Sequence, residues 1–299
     1  METCLYLFAR ALVAIAQCLP LRCLARLGRC AGALAWHLDR RHRQVALENL
    51  AASFLEKPTD EIRTIAKENF RRLGETYACI LKTGTMNAEA ISKILEFEGF
   101  AQLEKILQAN PNERILLASG HFGNFELFAW MKLAVPSGQV VTTYRGLRQR
   151  KLTELMLALR KASGCLYFER RNEGAQLKET MKRPSILLGL LADQHAGDSG
   201  LRLTVFGREA SASAAPAVMA KRYGSRLFPG ACFRTSLGHW KLELGKEIPL
   251  RKNGKRRTTE AITRDIITAQ EDYIRRDPAN WFWVHNRWKP RPKPESESE

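Results

Sequence analysis

The sequence predicts an α/β protein with a mainly parallel central sheet flanked by helices. Short apolar runs alternate with helix-length segments from residue 115 onward, and strands that alternate with helices build parallel sheets. The 299 residues suit a large α/β domain, a fold that often runs to this length. A composition of 45% hydrophobic and 26% charged residues is that of a globular protein and excludes wholesale disorder.

The helices and strands follow from local signals in chain order. After residue 40, helices are predicted over residues 59–82 and 88–109, with a capping signal at Thr59 and an end at Asn110-Pro111. A helical pattern also follows Asn124. Further helices are predicted over 148–162, 174–183, 216–223 and 258–276. The six predicted strands cover 115–119, 139–144, 165–168, 185–192, 227–233 and 240–244.

Residues 1–40 are predicted to be a helical segment that associates with a membrane. Residues 5–16 are apolar except for Arg10; this run is shorter than the about 20 residues that a spanning helix needs and fits a secretory signal poorly. The following helix is amphipathic, because its leucines face away from a basic arc of Arg22, Arg26, Arg29 and Arg40. Whether residues 1–19 span the bilayer or lie on it stays open.

Two boundaries complete the predicted organisation. The α/β domain is expected to extend over residues 41–289. The final segment, residues 290–299, is rich in proline and charge and is predicted to be disordered. The seven cysteines are an odd number without CxxC spacing, which indicates a reducing compartment rather than a disulfide framework or a zinc site.

The net charge of +17 predicts an anionic partner. Nucleic acid, an anionic membrane surface, a phosphorylated lipid and an acidic protein all satisfy it. A nucleic-acid-binding protein is therefore an alternative, but no helix-turn-helix, RRM, KH or zinc pattern supports it. We expect a membrane surface as a partner and no nucleic acid.

The segment from His121 to Glu126 is the candidate catalytic site. It follows a predicted strand, which places His121 at the strand's carboxyl end, where ligands bind in parallel sheets. Glu126 could accept a hydrogen bond from one ring nitrogen while the other nitrogen takes a proton from a substrate hydroxyl. The alternative is a histidine that only caps the next helix.

His121-Phe-Gly-Asn-Phe-Glu126 resembles the HX4(D/E) signature of the lysophospholipid acyltransferase superfamily. Other blocks resemble its bacterial lipid A biosynthesis branch, the late (secondary) acyltransferases. They are Arg41 to Leu50, Val141 to Arg145, Arg160 ahead of Gly164, Ala192 to His195, Val205 to Gly207, Pro216 to Ala220 and Trp281 to Lys289.

The resemblance implies acyl transfer from an acyl thioester to a hydroxyl of a lipid A precursor, a phosphorylated glycolipid. It makes His121 the general base and Glu126 its orienting partner, with no covalent acyl-enzyme. The acyl donor would be acyl-carrier protein or acyl-CoA. The reaction would take place at the cytoplasmic face of the inner membrane. Gly146 replaces the usual proline after Tyr144-Arg145, and the following Asn-Pro is absent. Another glycolipid or phospholipid acceptor, such as a mannosylated phosphoinositide, therefore stays open.

Four further residues are candidates for substrate binding: Arg160, Arg145, Asp193 and Asn124. Arg160 and the cluster around Arg145 suit phosphate or carboxylate, although a solvated basic loop is the alternative for the cluster. Asp193 is interpreted as an anion that holds a nearby arginine or the active-site loop. With His195 and Asp198 it makes only a weak metal pattern, and we predict no metal and no cofactor.

Overall fold

The computed structural model describes residues 2–289, and the predicted disordered tail at 290–299 lies outside them. Four helices open the chain, each amphipathic enough to bury one face. The last of them confirms the helix predicted over 59–82. The four are α1 (Glu2–Cys18), α2 (Leu21–Leu38), α3 (Arg40–Ser53) and α4 (Thr59–Thr83).

Helices α2 and α4 cross at almost direct backbone contact. Gly28 and Gly32 of α2 face Gly74 of α4. A Cβ atom at Gly74 would lie 2.1 Å from the carbonyl oxygen of Gly28, well inside van der Waals contact. Small residues at this crossing therefore let α2 pack directly against α4.

Replacing Gly74 with alanine should lower the free energy of unfolding by about 1–3 kcal/mol, because overpacked interfaces must shift their backbones. Thermal unfolding followed by circular dichroism measures the loss. The matched control is Gly174→Ala, where nothing lies within 4 Å of an added Cβ. Equal melting temperatures for the two variants would contradict the close crossing.

A seven-stranded, mostly parallel sheet forms the centre of the described residues. Its strands are β1 (Leu95–Glu98), β2 (Arg114–Ser119), β3 (Gln139–Tyr144), β4 (Leu166–Glu169), β5 (Ile186–Leu191), β8 (Arg226–Ser236) and β9 (His239–Leu244), in the order β1-β9-β8-β2-β5-β3-β4. Within this sheet only the β8–β9 pair is antiparallel. The strands β6 (Leu201–Val205) and β7 (Arg208–Ala212) form a separate antiparallel hairpin. The predicted fold class, a mostly parallel sheet flanked by helices, is confirmed. A two-residue pair, β10 (Arg251–Lys252) and β11 (Lys255–Arg256), stands apart.

Both faces of the sheet are buried, as alternation along β2 shows. Ile115 and Leu117 belong to the core cluster on one face, whereas Leu116 and Ala118 belong to the cluster on the other. A strand buried on both sides is apolar at successive positions, which is why 115–119 was recognisable as a run. The covering helices are α5 (Ala88–Ser92), α6 (Ala101–Ala109), α7 (Arg150–Arg160), α8 (Gly174–Thr180), α9 (Ala215–Tyr223) and α10 (Thr259–Arg276), with 3₁₀ helices at Phe125–Leu133, Lys161–Ser163 and Pro278–Asn280.

Two regions differ from the sequence predictions. The helix predicted over 88–109 is wrong as one element, because β1 interrupts it and pairs with β9, and Gly99 then turns the chain at a φ of +81°. The hairpin β6–β7 was not predicted. Its two-residue turn, Phe206-Gly207, has positive φ at both positions, and phenylalanine is not a residue that signals such a turn.

The amino-terminal helices expose apolar side chains. Leu7, Phe8 and Ile15 of α1 and Leu34 and Leu38 of α2 are each more than half exposed. Among residues 2–289, no helix is both long and apolar enough to cross a membrane. Membrane association of residues 1–40 therefore stays a prediction.

The predicted basic arc of α2 does not point wholly outward. Arg29 bonds both carboxylate oxygens of Glu68 at 2.9 Å and lies 3.4 Å from Glu75, both on α4. Arg22 and Arg26 are exposed, and Arg40 lies on the next helix. Arg29 thus bonds within the protein while Arg22 and Arg26 face solvent, because α2 buries its glycine face on α4.

Candidate active site

His121 and Asp193 meet at the carboxyl edge of the sheet. Strands β2 and β5 are parallel neighbours, and Ser119 is in register with Leu191. His121 and Asp193 each lie two residues beyond those positions, so the two loops leave the sheet side by side. The edge is the place where parallel sheets bind ligands.

Asp193 orients the imidazole of His121. Its Oδ1 lies 2.8 Å from Nδ1 of the ring, and its Oδ2 accepts the His121 backbone N–H at 2.7 Å. The indole N–H of Trp281 also donates to Oδ2, at 2.8 Å. Gly120 leaves room for this arrangement, since a Cβ there would lie 2.8 Å from the Asp193 carboxylate. Nδ1 is therefore held by Asp193, and the other ring nitrogen, Nε2, lies 3.5 Å from the Gln194 amide nitrogen.

The two groups shift each other's pKa in opposite directions. Burial lowers the pKa of His121, but the charge of Asp193 and its hydrogen bond outweigh burial, so the net pKa is raised above 6.5. Burial raises the pKa of Asp193, yet His121 and the N–H donors hold the net value below its ordinary range. A permanently ionised aspartate that stabilises the imidazolium is what a histidine base requires.

Glu126, the expected partner of His121, bonds Arg160 instead. Arg160 Nε donates to Glu126 Oε2 at 2.9 Å, and Nη2 donates to Oε1. Both carboxylate oxygens are occupied by this bidentate pair, so the predicted Glu126–His121 hydrogen bond is corrected to Asp193–His121. The charge of Glu126 still acts on His121 and contributes to its raised pKa. Arg160 therefore lies in the same site, and its guanidinium carbon is 5.0 Å from the centre of the Tyr167 ring.

The closing segment of the chain supports the His121 loop. The N–H of Gly123 donates to the carbonyl of Asn280 at 2.9 Å. Buried Asn69 donates to the carbonyls of Ala279 and Trp281, at 2.9 and 2.5 Å. Asn49, in the block from Arg41 to Leu50, donates to the carbonyls of Trp283 and His285, each at 3.0 Å. The amino-terminal and carboxyl-terminal blocks that resemble the acyltransferase branch are thus joined.

An apolar cavity of about 80 Å³ begins beside the histidine loop. Ser119 and Tyr144 lie at the carboxyl edge, and Leu117, Val141 and Gly189 lie deeper along β2, β3 and β5. This lining of strand side chains suits a hydrocarbon chain. Glu126 and Arg160 also line the cavity.

The other predicted substrate-binding residues are dispersed. Arg145 is exposed at the end of β3, and Asp193 is only 3% exposed and bonds the histidine loop rather than a ligand. Asn124 is completely buried, and its contact with substrate stays a prediction. Burial raises the pKa of Cys165, which lines the cavity, to about 12, so its thiol is protonated near neutral pH and a weak nucleophile.

A histidine held by a buried aspartate beside an apolar cavity can take a proton from a hydroxyl next to a hydrocarbon chain. This is the chemistry of an acyltransferase that uses its substrate's own hydroxyl as the nucleophile. A family model described as bacterial lipid A biosynthesis acyltransferase matches residues 2–290. The chain belongs to this family and is an acyltransferase. A search of curated proteins finds no match.

The prediction that Asp193 holds the active-site loop agrees with its bond to the His121 backbone N–H. Its bond to the imidazole was not predicted, although a signal was present. Both β2 and β5 were predicted as strands of one parallel sheet, and each is followed within two residues by a polar side chain capable of proton chemistry. What the sequence lacks is the strand order, which makes β2 and β5 neighbours. The spacing of four residues between His121 and Glu126 instead suggested a local partner.

Proposed function

We propose that this protein transfers a fatty acyl chain from an acyl thioester to a hydroxyl of a lipid A precursor at the cytoplasmic face of the inner membrane. The observation that carries the proposal is His121, whose Nδ1 is held by Asp193 and whose ring contacts Phe125, a residue that lines the apolar cavity. The family supports acyl transfer, and the donor and acceptor are part of the proposal. Acyl-carrier protein or acyl-CoA would supply the chain.

The reaction needs one base and no covalent enzyme intermediate. Nε2 of His121 removes the proton of the acceptor hydroxyl, whose oxygen attacks the thioester carbonyl. The new C–O bond forms as the C–S bond breaks, and the imidazolium returns the proton to the departing thiolate. Asp193 remains ionised throughout and stabilises the imidazolium. His121 and Glu126 remain the proposed catalytic residues, Glu126 acting through Arg160 and through its charge.

A basic edge next to the site supports a phosphorylated ligand. Strands β3 and β4 pair with Tyr144 in register with Glu169, so Arg145 and Arg170 follow at adjacent strand ends. Both are exposed, as are Arg148 and Arg171, and the charge of Arg170 reaches His121, whose pKa it lowers. Guanidinium groups bind phosphate bidentately. A lipid A precursor carries phosphate, and so do the phosphopantetheine and coenzyme A donors.

The exposed apolar side chains of α1 and α2 support attachment to a membrane surface. Leu7, Phe8 and Ile15 of α1 are exposed, and so are Arg10 on α1 and Arg22 and Arg26 on α2. Apolar anchors with flanking arginines are typical of helices that lie in a bilayer interface. This arrangement would bring the enzyme to its lipid acceptor.

The test is acyl transfer by the purified protein, with radiolabelled acyl-carrier protein or acyl-CoA and a lipid A precursor in mixed micelles. We expect a labelled lipid product, a dependence on both substrates, and no protein-bound acyl chain after rapid acid quench. A hydrolysable acyl-enzyme would contradict the direct mechanism. Transfer only to a phospholipid or to another glycolipid would replace the acceptor while keeping the reaction.

A further inference from the structure

Positive charge is concentrated where the β6–β7 hairpin meets the closing segment of the chain. The carbonyl oxygen of Ser211, on β7, accepts a hydrogen bond from Nη1 of Arg287 and another from the backbone N–H of Ala196, at 3.3 Å. Arg202 is opposite Ser211 in the hairpin, so the two side chains lie on the same face. His195 directly precedes Ala196. The fold therefore brings three basic residues from three segments together at one carbonyl.

Arg287 is a buried cation without an ion-pair partner in the described part of the chain. It is only 2% exposed, and its side chain donates to the neutral Ser211 carbonyl. Burial lowers the pKa of Arg287, and the charge of Asp193 only partly opposes this. Both oxygens of Asp193 already bond His121 and Trp281. A buried charge without a paired countercharge is costly, so this guanidinium favours a bound anion.

Two more nitrogens at this place are buried and have no hydrogen-bond partner among residues 2–289. They are Nη2 of Arg202 and Nδ1 of His195. Nη1 of Arg202 lies 4.0 Å from Glu209, which is too far for a hydrogen bond and is 71% exposed. Burial lowers the pKa of His195, and so do the charges of Lys289, Arg287 and Arg202. These three cations therefore surround the His195 imidazole, and with it they form what we call the basic cluster.

We propose that the basic cluster binds a phosphate group through Arg202, Arg287 and Lys289. Guanidinium groups bind phosphate oxygens in pairs, and the lysine adds a point charge. The phosphate belongs to one of two substrates, the phosphorylated lipid acceptor or the phosphopantetheine arm of the acyl donor. The assignment to a substrate rests on the proposed acyl transfer, whereas the binding of phosphate does not.

The basic cluster is linked directly to the catalytic loop. Asp193 and His195 lie two residues apart in one loop, and the backbone N–H of His195 donates to Nε2 of His285 at 3.0 Å. His285 in turn lies two residues before Arg287. The exposed arginines that follow β3 and β4 belong to other segments. A phosphate in the basic cluster would therefore give a substrate a second anchor beside the loop that carries the proposed catalytic pair.

The first measurement uses inorganic phosphate and does not depend on catalysis. Isothermal titration calorimetry of the full-length protein should show saturable binding at constant ionic strength. Arg202→Gln should weaken it about tenfold or more, because a hydrogen bond to a charged group contributes about that factor. The Arg202 side chain is 22% exposed and its only ion-pair contact among residues 2–289 is with Glu209, so the variant should fold. The matched control is Arg63→Gln, exposed on α4, with an affinity within about twofold of wild type.

The second measurement identifies the substrate that carries the phosphate. Binding is compared within two pairs: the lipid acceptor with and without its phosphate, and acyl phosphopantetheine against acyl pantetheine. In one pair, wild type should prefer the phosphorylated member, and Arg202→Gln should reduce that preference about tenfold. The preference within the other pair should remain. Arg287→Gln, with its fold checked by circular dichroism, should reduce the same preference.

Wild-type protein that does not bind phosphate would overturn the inference, and so would an Arg202→Gln variant with wild-type affinity. Loss of phosphate binding in this variant with both preferences unchanged would mean an adventitious ion only, and would also overturn it. A protein that binds phosphate through Arg202 but transfers no acyl chain would reject the proposed function and keep the phosphate site.

Discussion

His121→Ala should lower the rate of acyl transfer by about 10²–10⁴-fold while the protein stays folded, because removal of a general base costs about that much. The imidazole is the only part of the side chain that the mechanism uses, and its backbone N–H, which bonds Asp193, remains in the variant. The measurement is the initial rate with labelled thioester and lipid acceptor, with circular dichroism to compare the folds.

The control for this variant is His42→Ala. His42 is exposed on α3 and its ring bonds Asp39 at 2.6 Å, so its loss should leave transfer within about twofold of wild type, since surface substitutions are small in effect. Transfer that survives in folded His121→Ala would locate the base elsewhere and would reject the proposed mechanism.

Asp193→Asn should lower the rate by about 10³–10⁴-fold, as the equivalent change does in a serine-protease triad. An asparagine amide would donate to Nδ1 of His121, and the ring proton would then move to Nε2, where it blocks proton removal from the hydroxyl. Asp193 also accepts from the His121 backbone and from Trp281, and the amide cannot accept all three bonds. The exposed Asp198, in the following turn, is the matched control as Asp198→Asn.

The pH profile tests the same pair with a defined sign. The base acts in its neutral form, so activity should rise with pH through the pKa of His121, which lies above 6.5. In Asp193→Asn the charge that raises this pKa is lost while burial remains, so the midpoint of the residual activity should move to lower pH. The pKa of Asp193 itself is about 2, so its titration does not overlap with the titration of His121. An unmoved midpoint would contradict the coupling of His121 to Asp193.

Local sequence signals predict some elements of this fold and not others. The helix over 59–82 and the strand over 139–144 were recognisable from capping and apolar patterns. Strand β1 was not, because Leu95–Glu98 becomes a strand only through its pairing with β9, more than 140 residues away. Tertiary pairing overrides local propensity most easily in short strands.

At the candidate site, too, some features follow from local sequence and others only from the fold. Local sequence patterns predict the α/β class, the acyltransferase signature and the position of His121 after a buried strand, since each depends on neighbouring residues. The folded chain is needed to show that Asp193 rather than Glu126 holds the imidazole, and that Glu126 bonds Arg160 beside the apolar cavity. The physical reason is that strand order and helix crossings bring distant residues together, and neither is encoded in the spacing along the chain.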